Sequence, residues 1–166
     1  MGSGAPLGRR AELLCRELGE RAIDAGFRVA TGGLGGVMRA VSHGAHRAQR
    51  YREGDVVGVL PGAEGARANP YVDIAIPTGL GMARNVLVVS MADVVVAVAG
   101  SSGTLSEMAF AWQLGKPLIA LAPAGGWAAE LAGRRLDERR PDRVLRADSP
   151  EQAVRLALEA TTGTRG

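Results

Sequence analysis

Little in this sequence is aromatic, sulfur-bearing or amine-bearing. Phe, Trp and Tyr make up only 4% of the 166 residues, so the core has to be built from Val, Leu, Ile and Ala. The single cysteine, Cys15, excludes an internal disulfide. It stands in AELLCREL beside Leu14 and Leu18, the setting of a core thiol rather than of a nucleophile. Lys116 is the sole lysine; every other basic residue is an arginine. No apolar run approaches the roughly 20 residues that a membrane helix needs. No charged-then-apolar leader opens the chain, so the cytoplasm is the expected compartment. Two nucleotide fingerprints are also missing. Gly-x-Gly-x-x-Gly fails because Met38 stands where a third glycine would follow Gly33 and Gly35, and no Gly-Lys-Ser/Thr occurs. Ser101 and Ser102 lack the Gly-x-Ser-x-Gly elbow of acyl transfer. His43 and His46 share one helix face, but no acidic or thiol cluster accompanies them, so no metal site is expected.

What remains is a globular composition. Hydrophobic residues make up 46% and charged ones 22%, with a net charge of +3. The length suits one domain with a proper core, expected over residues 1–166 with a frayed tail from 160. The densest arginine run, GRRLDERRPDRVLR at 133–146, also holds Asp137, Glu138 and Asp142. It reads as a solvated, salt-bridged surface. Without interleaved aromatics to stack bases, it makes a poor nucleic-acid path.

Along the chain, helical and extended patterns alternate. Residues 8–25 place Leu13, Leu14, Leu18, Ala22 and Ile23 at helical spacing, and Gly26 closes that helix. FRVAT, DVVGVLP, DVVVAVAG, KPLIALAP and DRVLRA read as strands, with YVDIAIP as a short extended segment. Helices are expected after most of them, the last capped by Ser149 with Pro150 in its first position. VVGVL, VVVAV and LIAL are apolar on successive residues, the mark of strands buried on both faces of a parallel sheet. The expected fold is α/β: a doubly wound, mostly parallel, Rossmann-like sheet. Such a domain ordinarily has a strand before its first helix. Here MGSGAPLG resembles the loop after one, so either the start is truncated or misassigned, or the sheet lacks a member. Losing a central strand exposes edges, and an N-terminally extended chain is expected to melt higher.

Ligands of such sheets sit at the carboxyl ends of the strands. Four glycine-bearing turns are expected there: Gly2-Ser3-Gly4; Gly32, Gly33, Gly35 and Gly36; Thr78-Gly79; and Gly100-Ser101-Ser102-Gly103, followed by Thr104. Together they suit a phosphate-bearing ligand at helix N-termini. Arg84, next to Asn85, could hold a phosphate through paired donors, or could form a surface salt bridge. Glu107 could steady a developing oxocarbenium ion or position a water. Equally, Thr104-x-x-Glu107 spells a capping box.

At these residues the chain resembles a known superfamily. GGLGGVMRAVSHGA, PTGLGMARN and GSSGTLSE followed by GKP are similar to the LOG (Lonely Guy) proteins, once described as lysine decarboxylases. The resemblance spans roughly residues 2–160. It implies a phosphoribohydrolase that cleaves nucleoside 5′-monophosphates such as AMP or cytokinin nucleotides to base and ribose 5-phosphate, with Glu107 and Arg84 as its catalytic pair. Ala99 and Ser101 replace the proline and second glycine of that family's loop, and Met82-Ala83-Arg84-Asn85 is one residue shorter before its arginine. The likeness is closer to the branch containing molybdenum-cofactor carrier proteins. That implies binding of a pterin phosphate without a reaction, no required cofactor, and a dimer or tetramer. Three readings follow. The first is a carrier for a nucleotide or for molybdenum cofactor. The second is a nucleotide N-glycosidase, and the third a DNA-binding module. The off-pattern arginine segment and the lack of a second acid or base favour the first.

Overall fold

The computed structural model describes residues 7–64 and 67–162. Its elements run α1 (Arg9–Asp24), β1 (Val29–Thr31), α2 (Gly36–Ala45), β2 (Val56–Leu60) and β3 (Ile74–Pro77) in the first half. A 3₁₀ turn (Gly81–Ala83), α3 (Arg84–Ser90), β4 (Val95–Val98), α4 (Ser102–Gln113), β5 (Leu118–Leu121), α5 (Gly126–Leu131), β6 (Leu145–Ala147) and α6 (Pro150–Thr162) follow. α1 ends as its sequence dictates. Gly26 takes φ +91°, its N–H donates to Ile23 O, and Phe27 N–H reaches back to Ala22 O. At α6, Ser149 Oγ accepts from Gln152 N–H at 3.1 Å, the expected cap. α6 continues to Thr162 rather than fraying from 160, and in its last turn Thr161 Oγ1 donates to Ala157 O at 2.9 Å and Thr162 Oγ1 to Leu158 O at 2.8 Å.

The strands form two parallel sheets, ordered β1-β2-β3 and β4-β5-β6. β2, β4 and β5 are buried on nearly every residue, as continuous apolar runs require. Among the described residues no backbone ladder joins β1 to β4. Between them lies an apolar cavity of about 130 Å³, lined by residues including Leu18, Phe27, Val29, Val37 and Val95. Among the described residues the strands therefore stand as two separate sheets. Side chains bridge them. One core cluster takes Val29 and Val56 from the first sheet, Val98, Ile119 and Leu121 from the second, and Cys15, Leu18 and Val154 from α1 and α6. Cys15 is fully buried and its thiol is pushed up to about 11 by burial, so it is core as expected. The arginine-rich run at 133–146 is laced with ion pairs, Arg139–Asp137 and Arg140–Asp142 among them.

Candidate functional site

α4 fixes the site, and it starts earlier than its sequence spells. The helix begins at Ser102, with Ser101 as an N-cap that makes no side-chain cap bond. Thr104 is therefore the third helical residue rather than the cap, and Glu107 lies in the second turn. The capping box does not form. Instead Glu107 turns inward, where its Oε1 lies 3.4 Å from Arg84 Nη1. Both side chains are almost closed to water, at 7% and 8% exposure.

Arg84 reaches this position because α3 opens at Arg84 itself and Gly32 has no side chain. A methyl on Gly32 would stand 2.2 Å from Arg84 Nη2. Arg84 Nη1 also donates to Asn85 Oδ1. Asn85 Nδ2 in turn donates to Ser106 Oγ at 3.1 Å, and Ser106 donates to Gly103 O. The end of β1, the start of α3 and the first two turns of α4 thus form one polar network at the carboxyl ends of the strands. Two fully buried polar atoms in it have no hydrogen-bond partner among the described residues: Arg84 Nε and Thr104 Oγ1.

The electrostatics follow from burial. Desolvation pushes the Glu107 carboxyl above its ordinary range, with Arg84 pulling the other way. Desolvation likewise lowers Arg84, against the pull of Glu107. At one contact of 3.4 Å the mutual attraction does not outweigh the loss of water. The ion pair carries no net charge, and beside it the α4 N-terminus presents its first N–H groups without intrahelical acceptors.

The loop leading into α4 is held in an unusual conformation. Ala99 sits at φ +51°, a region few non-glycine residues occupy. Gly100 follows at φ +102°, and a methyl there would be 2.3 Å from Thr104 Cβ. The carbonyls of Ala99 and Gly100 accept from Ala128 and Trp127 N–H, so the start of α5 clamps this turn.

Not every expected residue joins. Gly2, Ser3 and Gly4 lie outside the described residues. Gly33 takes φ +73° against Leu60 and Gly58, Gly35 caps α2, and Gly36 is its first residue. Thr78 donates to Leu60 O at 2.7 Å, and Gly79 N–H bonds Gly62 O, so this turn is tied to the end of β2. Asn69 is a residue that the sequence pattern gives no reason to pick. Buried, it holds the 32–36 turn by donating through Nδ2 to Gly33 O and Leu34 O. His43 stacks on Tyr71, and His46 pairs with Asp73, which also accepts from Tyr51. Among the described residues no cluster of three His, Cys, Asp or Glu could hold a metal.

A model of the SLOG cluster4 family matches residues 1–154. The chain belongs to that family. Its SLOG cluster4 sequence is 34% identical over 144 residues to an uncharacterized protein of Archaeoglobus fulgidus, covering 87% of this chain and 83% of that one. Two solved structures share the fold. The molybdenum cofactor binding protein from Rippkaea orientalis superposes with a TM-score of 0.82 at 34% identity, over 96% of this chain and 93% of the other. The molybdenum cofactor carrier protein from Chlamydomonas reinhardtii gives 0.81 at 28% identity, over 98% and 96%. The Rossmann-like α/β architecture expected from sequence is therefore shared with these proteins. No helix among the described residues is long and apolar enough to cross a membrane.

Proposed function

We propose that this SLOG cluster4 protein binds and carries a small phosphate-bearing ligand, a pterin phosphate such as molybdenum cofactor or a nucleotide, in the cytoplasm. The observation that carries the reading is the pair of unsatisfied buried atoms, Arg84 Nε and Thr104 Oγ1, in the network at the uncapped N-terminus of α4. A buried polar atom without a partner costs about 1–3 kcal/mol, and a ligand oxygen would remove that cost. Free N–H groups at a helix start, with a helix dipole behind them, suit a phosphate. The carrier and binding functions named for the two solved neighbours point the same way. Ser101, Ser102 and Gly103 supply the backbone cradle. Arg84 and Asn85 form its wall, and Glu107 holds Arg84 in place.

The ligand is cargo, and no protein group is assigned a step in its chemistry. Glu107 is closed off against Arg84, which suits a positioning role better than attack on a sugar. The test is a ligand-induced melting shift with AMP and with a pterin monophosphate. A saturable rise of several degrees is expected, reduced in Thr104→Val. Ribose 5-phosphate release from AMP that disappears in Glu107→Gln would overturn the carrier reading in favour of the N-glycosidase. Absence of any shift with either ligand would overturn the phosphate site.

A further inference from the structure

Two large apolar side chains stand exposed beside the loop that opens α4. Trp127 is 39% exposed and Met82 69%. Trp112, the chain's other tryptophan, shows what an indole ordinarily does here: it is buried, and its Nε1–H donates to Asp137 Oδ1 at 2.7 Å. Trp127 is brought to the loop by its backbone, whose N–H donates to Gly100 O at 3.3 Å. Gly126, at φ +60°, permits the approach, because a methyl there would stand 2.6 Å from that same oxygen. Met82 reaches the loop from another element, the 3₁₀ turn that leads into Arg84. Its methyl lies 3.8 Å from where a Cβ on Gly103 would be.

The loop from Gly100 to Gly103 therefore has a tryptophan beside one end and a thioether beside the other. Thr104 Oγ1 and Arg84 Nε, both buried and without a partner among the described residues, belong to the network at the same place. Thr104 Oγ1 packs so closely on the loop that a Cβ on Gly100 would be 2.4 Å from it. A phosphate engages the polar half of this arrangement, the N–H groups at the helix start, and has no use for the apolar half. A flat, polarisable ring does. An indole stacks on heteroaromatic rings, and a methionine sulfur packs well at a ring edge. One molecule carrying both a phosphate and such a ring engages both halves.

We propose that Trp127 and Met82 are the residues that read the ring of the ligand. Trp127 stacks on the ring and Met82 packs against it, while the phosphate lies at the start of α4. The ligand class is then a phosphate ester of a fused heteroaromatic ring, a purine or a pterin, and sugar phosphates and inorganic phosphate are selected against. This assignment rests on the ligand-binding reading above and adds to it the part of the site that discriminates. Neither side chain joins the buried network, so either can be changed without disturbing Arg84, Asn85 or Glu107.

Calorimetry on the full chain compares AMP and a pterin monophosphate with ribose 5-phosphate, which keeps the phosphate and lacks the ring. In the wild type at least one ring-bearing ligand is expected to bind tighter than ribose 5-phosphate by about tenfold or more. Trp127→Leu is expected to weaken that ligand by roughly 5- to 150-fold, the worth of one stacked base, and to leave ribose 5-phosphate unchanged. Trp127→Phe keeps a ring and is expected to recover most of the loss. Met82→Ala is expected to weaken the same ligand by roughly 2- to 12-fold. Fluorescence gives a second readout. AMP is expected to perturb emission in the wild type and not in Trp127→Leu, whose remaining indole, Trp112, lies about 15 Å along α4 from its first residue. Equal affinity of the wild type for all three ligands overturns the proposal and leaves the phosphate site standing. So does a ring preference that survives Trp127→Leu, or a loss in Trp127→Leu that falls equally on ribose 5-phosphate. Binding of none of the three overturns the ligand reading, and this proposal with it.

Discussion

Replacing Arg84 with methionine separates charge from packing at the centre of the site. In Arg84→Met the volume against Gly32 is largely kept, but Glu107 loses its only ion-pair partner among the described residues. Neither side chain is more than 8% exposed, so water does not screen the orphaned carboxylate. Breaking a buried pair from one side costs about 3–5 kcal/mol. At about 2–4 °C per kcal/mol for a domain of this size, the melting point at pH 8 should drop by roughly 6–20 °C. The sign of the pH dependence follows from burial. Glu107 is held above its ordinary value of 4.5, so the folded form keeps this proton more tightly than the unfolded chain does. The group's stabilising contribution is full below 4.5 and is lost as pH rises through the folded-state value. Removing Arg84 removes the attraction that opposes burial, so the loss deepens. The assay is thermal or urea unfolding of the wild type, Arg84→Met and Arg84→Met/Glu107→Gln between pH 5 and 8. Arg84→Met should be much closer to wild type at pH 5 than at pH 8, and the double variant should regain most of the stability at pH 8. Equal destabilisation at every pH, unrelieved in the double variant, would mean that Arg84 acts by packing, and the electrostatic reasoning would be wrong.

Three further outcomes are expected. Thr104→Val removes a buried hydroxyl that has no partner among the described residues and should hold or raise stability by up to about 1 kcal/mol, as read by urea unfolding. Gly100→Ala forces a methyl to 2.3 Å from Thr104 Cβ at a φ of +102° and should cost at least about 1–3 kcal/mol, visible as a lower urea midpoint at unchanged slope. Ala30→Val adds a β-branched residue beside the apolar cavity between the sheets and should raise the melting point, equivalent to about 0.5–2 kcal/mol in calorimetry.

The strands were legible because burial on two faces leaves no polar alternation: VVGVL, VVVAV and LIAL announce a parallel sheet on their own. The cap at Ser149 and the stop at Gly26 were legible for the same local reason. The capping box at Thr104 was a false lead: its spacing to Glu107 fits a box, but the N-cap lies three residues earlier at Ser101, and the carboxyl is captured by Arg84, 23 positions away. A contact of that range leaves no local periodicity. Thr78 and Gly79 belong to a turn that resembles a phosphate loop, yet the hydroxyl is committed to Leu60 O. Asn69 fastens the 32–36 turn from 36 residues away. The residues of the buried network could be picked by type, but their pairing is a product of tertiary packing.

Among the described residues, the absence of a backbone ladder between β1 and β4 sets a fault line under load. Tension applied along a strand within either sheet is opposed by several backbone bonds arranged to break together. Tension applied across the gap runs, among the described residues, through side chains of α1 and α6 wedged against both halves. Dispersion contacts of that kind fall off over a fraction of an ångström. Pulled from opposite edges, the protein should part along this line first, at low force, with each half still folded for a moment as a separate piece.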